Sequence, residues 1–516
     1  IGFNSYRGFE SLSLRHIKTY IILLSNFINF KRIAKMKKIY LDQKDNYSKN
    51  FGIAYRSSTI FYFKKNDNFS TTINYMNYWQ IKKSMEVAVI ASLRDMQGNL
   101  ILREQVSFDE GQVVNYTPEI KENSFEGSLE MEAIAAGNLG IPFAAMLVIY
   151  DAEVSVSMVH GYTRTYSTHE VEEGRTITFG EEAGLVVRDN NEVRSFFIGH
   201  NGIYEQEKQE ITLWLTNHKN KTIESKFTLP KLNKYETFKI YPRDHFDNMI
   251  SFLDGDIGNC AINFELNGGF TRLVVGNETI DEKEFQVMHS NFNYGRHEPG
   301  YVGDEPGYFS FPYLEGHDRQ VVHMDSFSAK GKYLLTNSED EKYSFEPGQR
   351  VDIPMKSEVL KIERLDGNLP ARVNIVFSSF LKDSNCKLGM ESARGFYHSK
   401  RPPKYRLWMV AGIGKRFRSK LIIHSIIDHY GPVGDSELSI TLYKENTLNT
   451  VTKVFKHDEI TKFEKGIYVD EVFPEECNCS NNEIGQLWIQ SSSYGGHQAF
   501  TTIEKENGSA SIEHNY

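Results

Sequence analysis

The sequence predicts an all-β protein made of tandem β-sandwich units, three to four of them, with no substantial helix after residue 36. Three observations predict it. Apolar residues alternate at period two in many short runs bounded by turn residues. No run of ten to twelve residues after Met36 combines a helical period with caps, and the one candidate, near Met249–Leu253, is short. Four strand-like runs each lead into a histidine followed by polar and aromatic residues: SMVHGYTRTY at His160, QVMHSNFNY at His289, GFYHSKRPPKY at His398 and SIEHNY at His514. Their intervals of 129, 109 and 116 residues point to one unit type used four times.

The chain of 516 residues is long enough for that many cores, and 40% hydrophobic, 25% charged and 13% aromatic residues describe a folded chain. Residues 1–35 differ in kind, with six Lys/Arg against one Glu. Gly8-Phe9-Glu10-Ser11 matches one reading frame of the conserved T-arm of a tRNA gene, so residues 1–35 read as translation of upstream DNA, with Met36 as the expected start. The apolar stretch Tyr20–Phe30 is too short to span a membrane. After Met36 no secretory signal is visible, which makes the default expectation a cytoplasmic protein. From Met36 on, 53 Lys/Arg face 67 Asp/Glu, a net of −14 against −9 for the whole chain. Binding of nucleic acid rests on phosphate neutralisation, so that class is excluded.

The units follow in order as 36–167, 168–295, 296–399 and 400–516. The first opens with the apolar run Ser58–Phe63. Its Met85–Asp95 and Leu100–Phe108 form a hairpin about Met96-Gln97-Gly98-Asn99, and Gly127–Ile134 follows. In the second, Ser195–Gly199 precedes the hairpin Glu210–Thr216 with Ile223–Leu229, then Asn259–Leu266. The third diverges: Lys332–Thr336, Tyr343–Phe345 and Val351–Pro354 are short, and Ala371–Ser378 takes the later strand's place. The fourth repeats the scheme with Leu407–Val410, Glu437–Tyr443, Thr450–Phe455 and Gly485–Ser491. Six to eight strands per unit suit a two-sheet sandwich. Paired cysteines about a tryptophan are absent, so the units are immunoglobulin-like in architecture only. The four cysteines, Cys260, Cys386, Cys477 and Cys479, are too few for a disulfide framework and read as free thiols.

Candidate binding residues cluster at the histidine endings. His160 has Tyr162 and Arg164 beside it; His289 has Asn291, Asn293, Tyr294, Arg296 and His297. Aromatic faces stack on sugar rings, and amides or guanidinium groups bond hydroxyls. Between the second and third units Glu298-Pro299-Gly300-Tyr301 recurs as Glu305-Pro306-Gly307-Tyr308, which sets Tyr301 and Tyr308 between turns as rigid aromatic points. Recurrence in every unit favours a structural task for the histidines, since a catalytic group would be confined to one copy.

One alternative is metal catalysis. His323-Met324-Asp325, with His398 and Arg406 beyond it, resembles the His-x-Asp…His…Arg order of iron and 2-oxoglutarate oxygenases. The likeness covers four positions, and His245-Phe246-Asp247 shows how readily His-x-Asp arises among 16 histidines. Phosphate-binding loops, dinucleotide fingerprints, nucleophile elbows and H-E-x-x-H are absent from the sequence. The reading is a non-enzymatic repeat protein that recognises a glycan or protein partner, with no cofactor and no membrane span. The alternative is a carbohydrate-active or metal-dependent enzyme with its site in His289–Asp325. A binding protein should keep its histidines distributed, one per unit; an enzyme should have one concave pocket in which His289, His297, His317, His323 or nearby carboxylates converge.

Overall fold

A computed structural model describes residues 54–514, apart from 108–112, 138, 140–145, 168–177, 180–182, 265, 268–269, 291–305, 313, 315, 325–329, 355, 357, 370–374, 382–386, 395–405, 427–436, 446, 479–483 and 492–496. The chain is all-β, and, apart from the two-residue strand Thr178–Phe179 that pairs with Leu266–Asn267, its strands sort into four successive groups: 54–167, 183–289, 307–394 and 406–514.

Each group makes the same two antiparallel sheets. In the first, the strands run Ala54–Lys65, Ser70–Met76, Ala88–Asp95, Leu100–Val106, Val113–Tyr116, Phe125–Ile134, Met146–Asp151 and Val156–His160. One sheet has the order fourth, third, sixth, first; the other has fifth, second, seventh, eighth. The same two orders recur in all four groups, the divergent third included. The first group adds a ninth strand, Tyr162–Ser167, against its first. Helix among the described residues is limited to short turns such as Tyr78–Lys83 and Met249–Leu253.

Alternation places one face of each sheet inside. Leu213, Leu215, Leu185 and Cys260 fill the second sandwich, while Leu421, Ile423, Leu438 and Leu487 fill the fourth. The fourth strands are outer edges and show it: Thr222–Leu229 and Val451–Lys456 alternate between exposed and half-buried positions. Lysines and glutamates along such edges discourage pairing with other chains. Cys260 and Cys477 are free thiols; Cys386 and Cys479 lie outside the described residues.

The four sandwiches close into a ring. The eighth strand of each, Val156–His160, Phe285–His289, Met390–Arg394 and Ala510–His514, packs on the eighth strands of both neighbours. In the third sandwich this strand ends at Arg394, and His398 lies outside the described residues.

An eighth strand is a sheet edge, and its outward N–H groups need partners. Side chains of the neighbouring sandwich supply them in one direction round the ring. Ser509 and Ser511 Oγ accept from Val156 and Met158 N at 3.2 and 3.0 Å. Ser155 and Ser157 Oγ accept from Phe285 and Val287 N at 2.7 and 2.9 Å. Just ahead of the third sandwich's eighth strand, the Glu284 carboxylate accepts from Lys387 and Leu388 N. Each bond contributes about 1 kcal/mol, more where the acceptor is charged.

The junction of the second and third sandwiches holds two further polar contacts, the first of them buried. Arg188 of the second sandwich bonds Glu391 of the third (Nε to Oε1, 3.0 Å), and the Asn277 amide donates to the same carboxylate. Asp256 bridges Arg319 and Arg350 at the same junction. Burial works to raise the Asp256 pKa, but hydrogen bonds from the two arginines outweigh it and hold the carboxyl well below its ordinary range. The first and fourth sandwiches join through Tyr78, whose ring lies against Trp408 and Trp488.

A buried histidine and carboxylate cluster at the ring centre

Three of the four sandwiches end their eighth strand on a histidine: His160, His289 and His514. Opposite each on the seventh strand stands a bulky apolar residue, Leu147, Val274 and Phe500 respectively. Because the eighth strands face one another round the ring, their last residues meet at its centre. The ring centroids of His160 and His289 are 4.2 Å apart, those of His160 and His514 5.1 Å, and those of His289 and His514 5.3 Å.

Glu513 joins them. Its Oε1 lies 3.1 Å from His160 Nδ1 and 3.6 Å from His514 Nε2. His289 Nε2 and His514 Nε2 are 3.1 Å apart. His160, His289 and Glu513 are buried and His514 is half-buried. One ligand atom from each residue falls within 4.8 Å of all the others, and this is the one such group of three or more among the described residues.

The expectation that a binding protein keeps its histidines apart, one per unit, is not what the geometry gives. His317 and His323 are not members of this cluster. His317 Nδ1 bonds Ser379 Oγ at 2.8 Å, and His323 is buried on the strand His317–Met324. His297, Asp325 and His398 lie outside the described residues.

Of the other candidates, Asn291, Asn293, Tyr294, Arg296 and Tyr301 also lie outside the described residues. Tyr162 and Arg164 sit on the strand Tyr162–Ser167 next to the cluster, and Tyr308 is half-buried on Gly307–Phe311.

Sequence reasoning overlooked Glu513, Ser155, Ser157, Ser509 and Ser511. For the serines the signal was present. Ser155-Val156-Ser157-Met158-Val159-His160 and Ser509-Ala510-Ser511-Ile512-Glu513-His514 share serines five and three places before the histidine. These are the serines that cap the next sandwich.

The architecture thus defines an all-β chain of four sandwiches closed on their edge strands. No family model matches the chain, and no curated protein matches it. No helix of the described residues is long and apolar enough to cross a membrane.

Proposed function

We propose that this chain is a non-enzymatic binding protein, a rigid four-sandwich platform that recognises a glycan or another protein. The observation that supports this reading is the closure of the ring. The edge strands and the densest polar networks join sandwich to sandwich, which leaves the outer strands and loops to meet a partner. Three of the four residues of the histidine cluster are buried between strands. Two hollows among the described residues are shallow, about 350 and 460 Å³. One is lined by Lys415, Arg416, Lys505, Glu506 and Asn507, and the other lies over 246–251 beside Arg243.

Acidic net charge argues for a neutral glycan or a basic protein surface over a polyanion. Tyr308 supplies the aromatic type that a glycan would use. Surface polysaccharides of bacteria are the first panel to try. The purified full chain is assayed on an oligosaccharide array and, in parallel, for release of reducing sugar from the same compounds. Saturable binding without product supports a binding protein. Sustained product release would overturn it in favour of a carbohydrate-active enzyme.

A further inference from the structure

We infer that His160, His289, His514 and Glu513 form a binding site for one divalent transition-metal ion of the zinc type, which clamps three sandwiches at the ring centre. The inference goes beyond the binding reading above and stands independently of it.

The donor set is the first argument. Three imidazole nitrogens and one carboxylate oxygen are borderline donors that suit zinc, cobalt or nickel, not calcium or magnesium. Spacing is the second. A tetrahedral ion with bonds of about 2.0–2.2 Å holds its ligand atoms about 3.3–3.6 Å from one another. Three of the separations here are 3.1, 3.1 and 3.6 Å, and all the ligand atoms lie within 4.8 Å of one another.

Connectivity is the third. His514 Nε2 faces both His289 Nε2 and Glu513 Oε1, and Glu513 Oε1 in turn faces His160 Nδ1. A divalent cation among the four atoms accepts every lone pair at once. Its bonds would run from His160 Nδ1, His289 Nε2, His514 Nε2 and Glu513 Oε1, with each imidazole neutral and the carboxylate ionised.

Four protein ligands leave no open coordination position, which is the pattern of structural zinc and not of catalytic zinc. The ligands come from the first, second and fourth sandwiches. Ion binding therefore ties segments 129 and 225 residues apart in the chain.

The test uses the full chain, stripped with a chelator and reloaded with Zn²⁺ or Co²⁺. The expected result is about one equivalent per chain, an apparent Kd below about 1 µM and a Tm gain above about 5 °C. The cobalt form should show the intense visible bands of a tetrahedral site. His514→Gln and Glu513→Gln should each weaken binding at least tenfold, whereas His218→Gln, away from the cluster, should not. Failure of the stripped wild-type chain to take up an equivalent would overturn the inference. So would full-affinity uptake by both cluster variants. If those variants do not fold, the wild-type cobalt spectrum decides: tetrahedral bands support the site, and an octahedral spectrum or none refutes it.

Discussion

His289 and His514 stand 225 positions apart in the chain and bring their Nε2 atoms to 3.1 Å across the ring centre. They belong to the second and fourth sandwiches, which lie diagonally in the ring, since each eighth strand packs on those of its sequence neighbours and the fourth returns to the first. Contact across the diagonal requires all the junctions to be in register. The fold and the cluster are consequently one problem: what holds the junctions also builds the site.

The junction between the first and fourth sandwiches closes the ring and adds aromatic packing to its polar bonds. Trp408 and Trp488 are opposite one another on adjacent strands and stack at 5.6 Å with planes 3° apart. Tyr78 lies on both, at 5.3 and 5.8 Å, and Lys82 Nζ sits 4.3 Å from the Trp488 ring. Tyr78→Ala removes the aromatic ring on which the two surfaces meet, at a cost of about 3–4 kcal/mol. Urea unfolding should show a lower first midpoint and separation of a single transition into two. An unchanged midpoint and one transition would show that Tyr78 does not hold the junction.

The second junction rests on a buried charge pair. Burial lowers the Arg188 pKa and raises that of Glu391, while each partner opposes the shift in the other. Removing one partner strands the other in a dry place. Glu391→Gln should therefore destabilise by about 3–5 kcal/mol, and Arg188→Met by a similar amount. The double variant Arg188→Met/Glu391→Gln should lose clearly less than the sum, because neither charge is then left alone. A denaturant-based double-mutant cycle measures this, and strict additivity would mean that the two residues are not coupled.

Much of this fold was legible in the sequence, and the reason is periodicity. Strands such as Glu437–Tyr443 and the hairpins of the second and fourth units announce themselves by alternation, which depends only on near neighbours. Even Met249–Leu253 was visible as a short helical piece. The closed ring was not legible. Ser511 Oγ meeting Met158 N, or Arg188 meeting Glu391, depends on how sandwiches approach one another, and no local pattern encodes that approach. The recurrent histidines were found, but their meeting was not. Recurrence every hundred-odd residues says that His160, His289 and His514 occupy equivalent places, and only the ring turns equivalent places into one place. Glu513 carried no signal of its own, because a single acidic residue beside a strand end is ordinarily a solvated one.

His200 gives the molecule a specific acid weakness. It ends the strand Val193–His200, is buried, and has its Nδ1 2.9 Å from Thr237 Oγ1. Burial pushes its pKa down from 6.5 to about 3. In the unfolded chain the imidazole takes a proton below about pH 6.5, whereas the folded protein refuses it until about pH 3. The unfolded state binds more protons throughout that window, so stability falls as the pH falls through it. The contribution is fully present above pH 6.5 and is progressively lost toward pH 3. Between pH 7 and 5 the loss from this residue is about 2 kcal/mol. His200→Gln keeps a polar group beside Thr237 and has no titration in that range. The stability difference between wild type and variant, measured by denaturant unfolding, should therefore shift by about 2 kcal/mol in the variant's favour from pH 7 to pH 5. Parallel pH profiles for the two proteins would show that His200 is protonated in the folded state.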